Sequence, residues 1–282
     1  MFRLARNPIR ANSLRRSFKM CPCEPMSAVQ PPAPALSALL VVHNEEQRLA
    51  ACLDKLTFAD EIVVVLDKCT DGSRAIAQRY TERLVEGSWD IEGERRNTGI
   101  AACRGPWILE VDADEHVPPG MGDEIRSVIA SSSFAFHPLL VDNWVGDRLI
   151  RRGWGAYFGK TGYVGLFRKE AKSWGPERVH PRLTLRGKEG PPLRHRIQHY
   201  VDRNISDMIR RFDAYTTARA KDLRDSGDIG SGFHNVRRIF SRFFGCYVRG
   251  GGWREGGHGL LIGIFAALYP LVSYLKAKYE NE

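Results

Sequence analysis

Three short apolar runs constrain this chain more than any other feature. LSALLVV (36–42), EIVVVL (61–66) and WILEV (107–111) each have the length of a buried strand, and each runs directly into a polar, acid-bearing turn. Helix-spaced segments separate them. After the HNEE turn, Leu49, Cys52, Leu53 and Leu56 recur at helical spacing, with Asn44 expected as the N-cap. Asp67 to Gly72 reads as a turn and Ser73 to Tyr80 as a second helix with Ile76, Ala77 and Tyr80 inward. Glu94 to Cys103 reads as a third, with Gly105 as its C′ residue. Alternation of this kind predicts a parallel, doubly wound α/β sheet, whose ligands sit beyond the carboxyl ends of the strands. Glu45, Asp67, Asp71, Asp112 and Asp114 all fall at such ends.

Composition narrows the partners. The 282 residues carry a formal charge of +9. Six basic residues (Arg3, Arg6, Arg10, Arg15, Arg16 and Lys19) and no acid lie in residues 1–20, so the rest of the chain holds only +3. A basic body that coats nucleic acid is therefore not expected. The first 20 residues lack the apolar core of a secretory signal; they are Arg-rich and acid-free, as transit peptides are, and Met20 or Met26 offers a later start. Prolines at 22, 25, 31, 32 and 34 exclude regular structure there, so residues 1–35 read as tail and linker. Residues 36–200 are expected to form the α/β domain and 201–282 a helical C-terminal region. Six cysteines without a CxxC pair support neither a zinc site nor a disulfide framework.

The sharpest candidate site is Asp112-Ala-Asp114 at the end of the third run. Two carboxylates spaced by one residue in extended chain share a face and can address one hard cation, Mg²⁺ or Mn²⁺; taken alone, the pattern is equally that of an Asp-rich turn capping the helix that follows.

Around it the motifs VVHNEE (41–46), VLDKCTDGS (65–73) and RRNTGIAACRGPWILEVDADE (95–115) follow in order, and the chain at this point resembles the family 2 inverting glycosyltransferases with the GT-A fold. GDRLIRRGW (146–154), LFRK (166–169), Val179-His180, HY (199–200) and YVRGGGWREGGHGL (247–260) extend the likeness to the branch of lipopolysaccharide-core β-1,4-glucosyltransferases. The resemblance implies that His43, Glu45 and Asp67 hold the nucleotide base. It also implies that Asp71, Arg96 and Asn97 line the same pocket, that Asp112 meets the ribose or the metal, and that Asp114 holds the metal. The bland alternatives are a turn residue for Asp71, a helix-start residue for Asn97 and a backbone contact for His43. Inversion needs a general base on the acceptor hydroxyl. Related enzymes carry His-Glu where this chain has His180-Pro181, which leaves Glu177 and His180 as candidate bases and Asp142 as a third.

The expected partners are a nucleotide-sugar donor, with UDP-glucose favoured over UDP-galactose and ADP-heptose, and a cell-envelope glycolipid or saccharide acceptor. Leu260 to Leu275 is a 16-residue apolar run interrupted by Pro270, short of a bilayer span. Arg237, Arg238, Arg242, Arg249 and Arg254 precede it against a single Glu255. The pattern fits an interfacial segment on an anionic inner-membrane surface, and so a cytoplasmic, peripheral location, or else a helix packed on the body. Two other functions compete: a nucleotidyltransferase, which would need a basic glycine-rich loop where HNEE stands, and an inactive membrane-associated nucleotide-sugar-binding protein.

Overall fold

The computed structural model describes residues 35–154, 159–176 and 182–280. In chain order these form β1 (Leu36–Val42), α1 (Leu49–Leu53), β2 (Glu61–Asp67), α2 (Ser73–Ala77), β3 (Leu84–Gly87), α3 (Glu92–Ala102), β4 (Trp107–Glu110), β5 (Glu115–His116), α4 (Met121–Ser131), β6 (Phe136–Val145), β7 (Arg148–Ile150), β8 (Gly162–Arg168), β9 (Lys172–Trp174), β10 (Leu183–Leu185), β11 (Arg196–Asp202), α5 (Ile205–Asp225), α6 (Gly232–Phe243) and α7 (Gly256–Tyr279). A nine-stranded sheet runs β3-β2-β1-β4-β8-β6-β11-β5, with β7 on β6; β9 and β10 make a separate ribbon.

The three apolar runs are β1, β2 and β4, paired in parallel as the sequence predicts, with β3 beyond β2. Alternate residues serve opposite faces. Leu36, Ala38, Leu40 and Val42 enter one core with Val64, Leu66 and Leu109, while Leu39 joins Val63, Val65 and Ile108 in the other. Past β4 the sheet becomes mixed: β8 is antiparallel to β4 and β6, and β11 is parallel to β6 but antiparallel to β5. The last pairing sets Glu115 opposite His199, so the turn that begins at Val111 returns against β11.

Several local expectations are corrected. Asn44 does not cap a helix: it sits in the left-handed region (φ 55°), its side chain accepts from the Thr70 N–H at 2.8 Å, and α1 begins only at Leu49. The turn is thereby tied to the neighbouring strand end rather than to its own helix. Gly105 is not a helical C′ residue, because Cys103 leaves α3 in extended conformation. It is glycine because a Cβ there would lie 2.8 Å from Ser37 Oγ, which accepts the Gly105 N–H and donates to the buried Glu61. Gly99 has a packing reason too: a Cβ would meet Leu39 Cδ1 at 2.7 Å, so its absence lets α3 lie close on the sheet. In α5 the apolar residues Ile205, Met208, Ile209, Phe212 and Tyr215, whose spacing is that of a single helical stripe, divide between two faces. Met208 is buried and Phe212 stacks on Phe265 at 4.9 Å, whereas Ile205, Ile209 and Tyr215 are exposed. A single i, i+4 series continuing to Thr216 and Ala220 faces α7.

The C-terminal helices pack on the β6–β7 end through Val145, Ile150, Met208, Ile262, Phe265 and Tyr269. Pro270 lies within α7 rather than ending it. Gly252–Tyr279 is long and apolar enough, by length and composition, to cross a membrane, and half of its most apolar window is buried in the fold.

Glu124 on α4 clamps the approach to β11, its carboxylate accepting the backbone N–H groups of Arg194 and His195 and the His195 ring. Burial opposes its charge, but these donors hold its carboxyl down at about 2 against an ordinary 4.5. A depressed carboxyl stabilises the fold above its unfolded value and loses that contribution as pH falls from 4.5 toward 2. Glu124→Gln is therefore expected to cost about 1–3 kcal/mol at pH 7 and to flatten the acid limb of stability, read by urea denaturation between pH 2.5 and 7.

Candidate functional site

The strand ends gather the acidic residues as predicted, but each carboxylate has a different local task. Asp67 is buried at the end of β2, accepting from the Trp89 N–H at 3.0 Å and from Arg95 Nη1 at 2.9 Å. His43 Nδ1 lies 2.7 Å from the Asp67 carbonyl oxygen, a backbone contact. Asp71 accepts from the Ser73 and Glu46 N–H groups, joining the turns after β1 and β2. A cleft of about 380 Å³ opens among Asn44, Glu45, Glu46, Arg48, Asp71 and Arg203. Glu45 in it has its carboxyl raised, first by burial and then by the charges of Asp114, Asp71 and Asp112, with Arg48 opposing.

Beneath the Asp112–Asp114 turn lies a buried ionic cluster. Glu110, the last residue of β4, is contacted by Arg96 from α3 and by Lys172 from β9, the latter at 2.7 Å. Lys172 also donates to the Val164 carbonyl at 2.8 Å. Burial pulls the Lys172 ammonium down and Glu110 opposes it, leaving a net lowering. Arg96 continues upward to Asp112 at 3.6 Å and sideways to Glu92. Lys160 Nζ sits between Asp112 (2.7 Å) and Glu115 (2.8 Å), over the ring of Tyr163, whose hydroxyl donates to Glu115. Burial disfavours the Asp112 carboxylate, yet Lys160 and Arg96 hold its carboxyl well below the usual range.

Asp114 is set apart from this cluster. Its Oδ2 lies 3.3 Å from His199 Nε2 and 3.7 Å from Arg48. His199 Nδ1 is 2.8 Å from Asn143 Oδ1, and Asn143 uses its amide N–H on the Lys160 carbonyl. An Nδ1–H directed at Asn143 leaves the Nε2 lone pair facing Asp114 in the neutral ring. A carboxylate oxygen and an imidazole nitrogen about 3 Å apart suit adjacent positions on a small divalent ion. No group of three metal-capable side chains occurs among the described residues, so such an ion would complete its shell with water and phosphate oxygens. The donor set therefore fits Mg²⁺ or Mn²⁺ through Asp114 and His199, with Asp112 already engaged by two cations.

Among the remaining sequence candidates, Asn97 holds the backbone of Trp174 with both ends of its amide. Asp142 pairs with Arg196 at 2.7 Å and, adjacent to Asn143 in β6, lies on the opposite sheet face from the His199 contact. Glu177 and His180 lie outside the described residues. The sequence reading assigned no role to His199, Arg48, Lys160, Glu110 or Lys172. Of these, His199 stood in the HY pair at 199–200 and Glu110 in the motif at 95–115.

Residues 37–126 match the profile described as "Glycosyl transferase family 2". The lipopolysaccharide core biosynthesis glycosyltransferase LpsC of Rhizobium meliloti is 24% identical over 86% of this chain and 91% of its own length. The uncharacterized glycosyltransferase RC0292 of Rickettsia conorii is 30% identical over 75% of this chain and 78% of its own. Among solved structures, Staphylococcus aureus TarS 1–349 covers 86% of this chain and 87% of that chain at 14% identity, with a TM-score of 0.44.

Glu110 anchors the site, and breaking a buried ionic cluster leaves charges uncompensated. Glu110→Gln is expected to destabilise the protein by about 3–5 kcal/mol, whereas Lys172→Met, which leaves Glu110 paired with Arg96, should cost less. Urea denaturation of the two variants checks the order.

Proposed function

Because the chain belongs to glycosyl transferase family 2, we propose that it transfers a hexose, with inversion, from a UDP-sugar to a lipopolysaccharide-core or related cell-envelope glycolipid. The observation that carries this reading is the pairing of Asp114 with His199 beside a cleft crowded with carboxylates. Like charges so placed favour a divalent cation, and a nucleoside diphosphate supplies the anion that such a cation recruits. The name of the Rhizobium relative supports the acceptor class. Resemblance to the glucosyltransferase branch supports glucose as the sugar.

In the proposed reaction an acceptor hydroxyl oxygen attacks the anomeric carbon as the bond to the diphosphate oxygen breaks on the opposite face. Mg²⁺ or Mn²⁺ bound at Asp114 and His199 would offset charge on the departing diphosphate. Glu45, Asp67, Asp71 and the His43 turn line the end where the nucleotide would lie. Arg96 and Lys160 keep Asp112 ionised and fixed, ready to accept from a ribose hydroxyl. Asn143 orients the His199 ring. Glu177 or His180 takes the acceptor proton. The transferase unit spans residues 36–200, and the helical region 201–282 holds it peripherally on the cytoplasmic face of the inner membrane.

A panel of nucleotide sugars tested with and without Mn²⁺, read by thermal shift and by release of nucleoside diphosphate, should single out one UDP-hexose. Asp114→Asn is expected to lower metal-dependent turnover by on the order of 100-fold or more with an unchanged circular dichroism spectrum. Retained turnover in that variant overturns the site. Of Glu177→Gln and His180→Gln, the one that removes the base should abolish transfer to acceptor while preserving donor binding.

A further inference from the structure

α6 carries more apolar surface than its packing on α7 uses. The one residue of it that counts as buried is polar, Asn235. Ile239 and Phe243 are half-buried on the α7 side, but the other apolar residues face water: Phe233 is 78% exposed, Val236 45% and Phe240 74%, and Phe244 continues the line at 54% into the π-helical turn Phe244–Arg249. Spacings of three, four and four place these side chains on one stripe. Beside the stripe, the seam between α6 and α7 opens as an apolar groove of about 480 Å³, lined by Phe240, Phe243, Phe244, Ile264 and Leu268.

Flanking the stripe, the surface is basic. A cleft of about 650 Å³ between α5, α6 and the Pro270 region of α7 is lined by Arg219, His234, Arg237, Arg238 and Arg242, with Asp228 at its edge. Residues 229–254 contain no Asp or Glu. A second copy laid on this stripe would bring arginines against arginines. An anionic bilayer complements both features, with acyl chains for the phenylalanines and phosphates for the arginines.

We propose that α6 is a membrane-docking element, its Phe233–Phe240–Phe244 stripe entering the acyl boundary of an anionic bilayer while the arginine cleft takes lipid phosphate. The proposal rests on the reading that the enzyme works at a membrane, and it assigns the contact to α6 rather than to the more apolar α7.

Flotation of the full chain with phosphatidylglycerol–phosphatidylcholine vesicles, against pure phosphatidylcholine, tests it. The expected result is binding to the anionic vesicles alone. Phe233→Asp/Phe240→Asp should weaken that binding by about tenfold or more, as should Arg237→Glu/Arg238→Glu, and Leu275→Asp on exposed α7 surface should not. Nucleotide-sugar binding and circular dichroism should be unchanged throughout, since every altered side chain is exposed. Binding lost only in Leu275→Asp would overturn the assignment to α6 and leave the membrane reading standing. Wild-type protein that ignores anionic vesicles would overturn both. A dimer by sedimentation that Phe240→Asp dissociates, without vesicle binding, would make the stripe an interface between copies and overturn the proposal.

Discussion

Glu110 is the carboxylate on which the site depends. It closes β4 in a place that water does not reach, and an ionised carboxylate there is costly unless its charge is met. Arg96 and Lys172 meet it, and they come from elements that the chain otherwise leaves unconnected, α3 before β4 and β9 after β8. One ionic cluster therefore fixes a helix and a ribbon to the strand from which the Asp112–Asp114 turn departs. Asn97 repeats the tie one residue along α3, gripping the backbone of Trp174 in β9. Asn97, which the family resemblance places in the nucleotide pocket, thus also fastens the ribbon to the helix.

From that fixed point the two aspartates diverge. Asp112 faces Arg96 and Lys160, and its negative charge is answered within the protein. Asp114 faces a histidine and a more distant arginine, and the carboxyls of Glu45 and Asp71 add to the negative field. The asymmetry matters for chemistry, because a carboxylate already paired with an ammonium gains little from a metal ion, whereas one beside an imidazole nitrogen would offer, with it, two of the six positions on an octahedral ion. The β5–β11 pairing supplies that imidazole by setting Glu115 opposite His199.

The parallel half of the sheet was legible because its information is local. Each run is apolar but for one residue (Ser37, Glu61 and Glu110), as a strand buried on both faces largely must be, and each ends where polarity returns. The acidic strand ends followed from the same pattern. His199, Lys160 and Lys172 were not legible as site residues, since each reaches β4 or its turn across 45 residues or more, through pairings that no local periodicity encodes. Asn44 misled for a related reason. Its sequence context is that of an N-cap, but the Thr70 N–H of the adjacent strand end competed successfully for its side-chain oxygen.

The C-terminal helices show the same limit in hydropathy. Leu260 to Leu275 draws attention because its average is high, yet Ile262, Phe265, Ala266 and Tyr269 spend that apolarity on α5 and the β6–β7 end. The stretch before it averages as polar because arginines dilute its phenylalanines. Average hydropathy ranks the two helices in one order, and exposed apolar surface along α6 ranks them in the other. A membrane responds to surface rather than to average, since only apolar area still in contact with water can be transferred out of it. Packing has already used the apolarity of α7 in which the sequence is richest, and it leaves that of α6 facing outward beside the arginines.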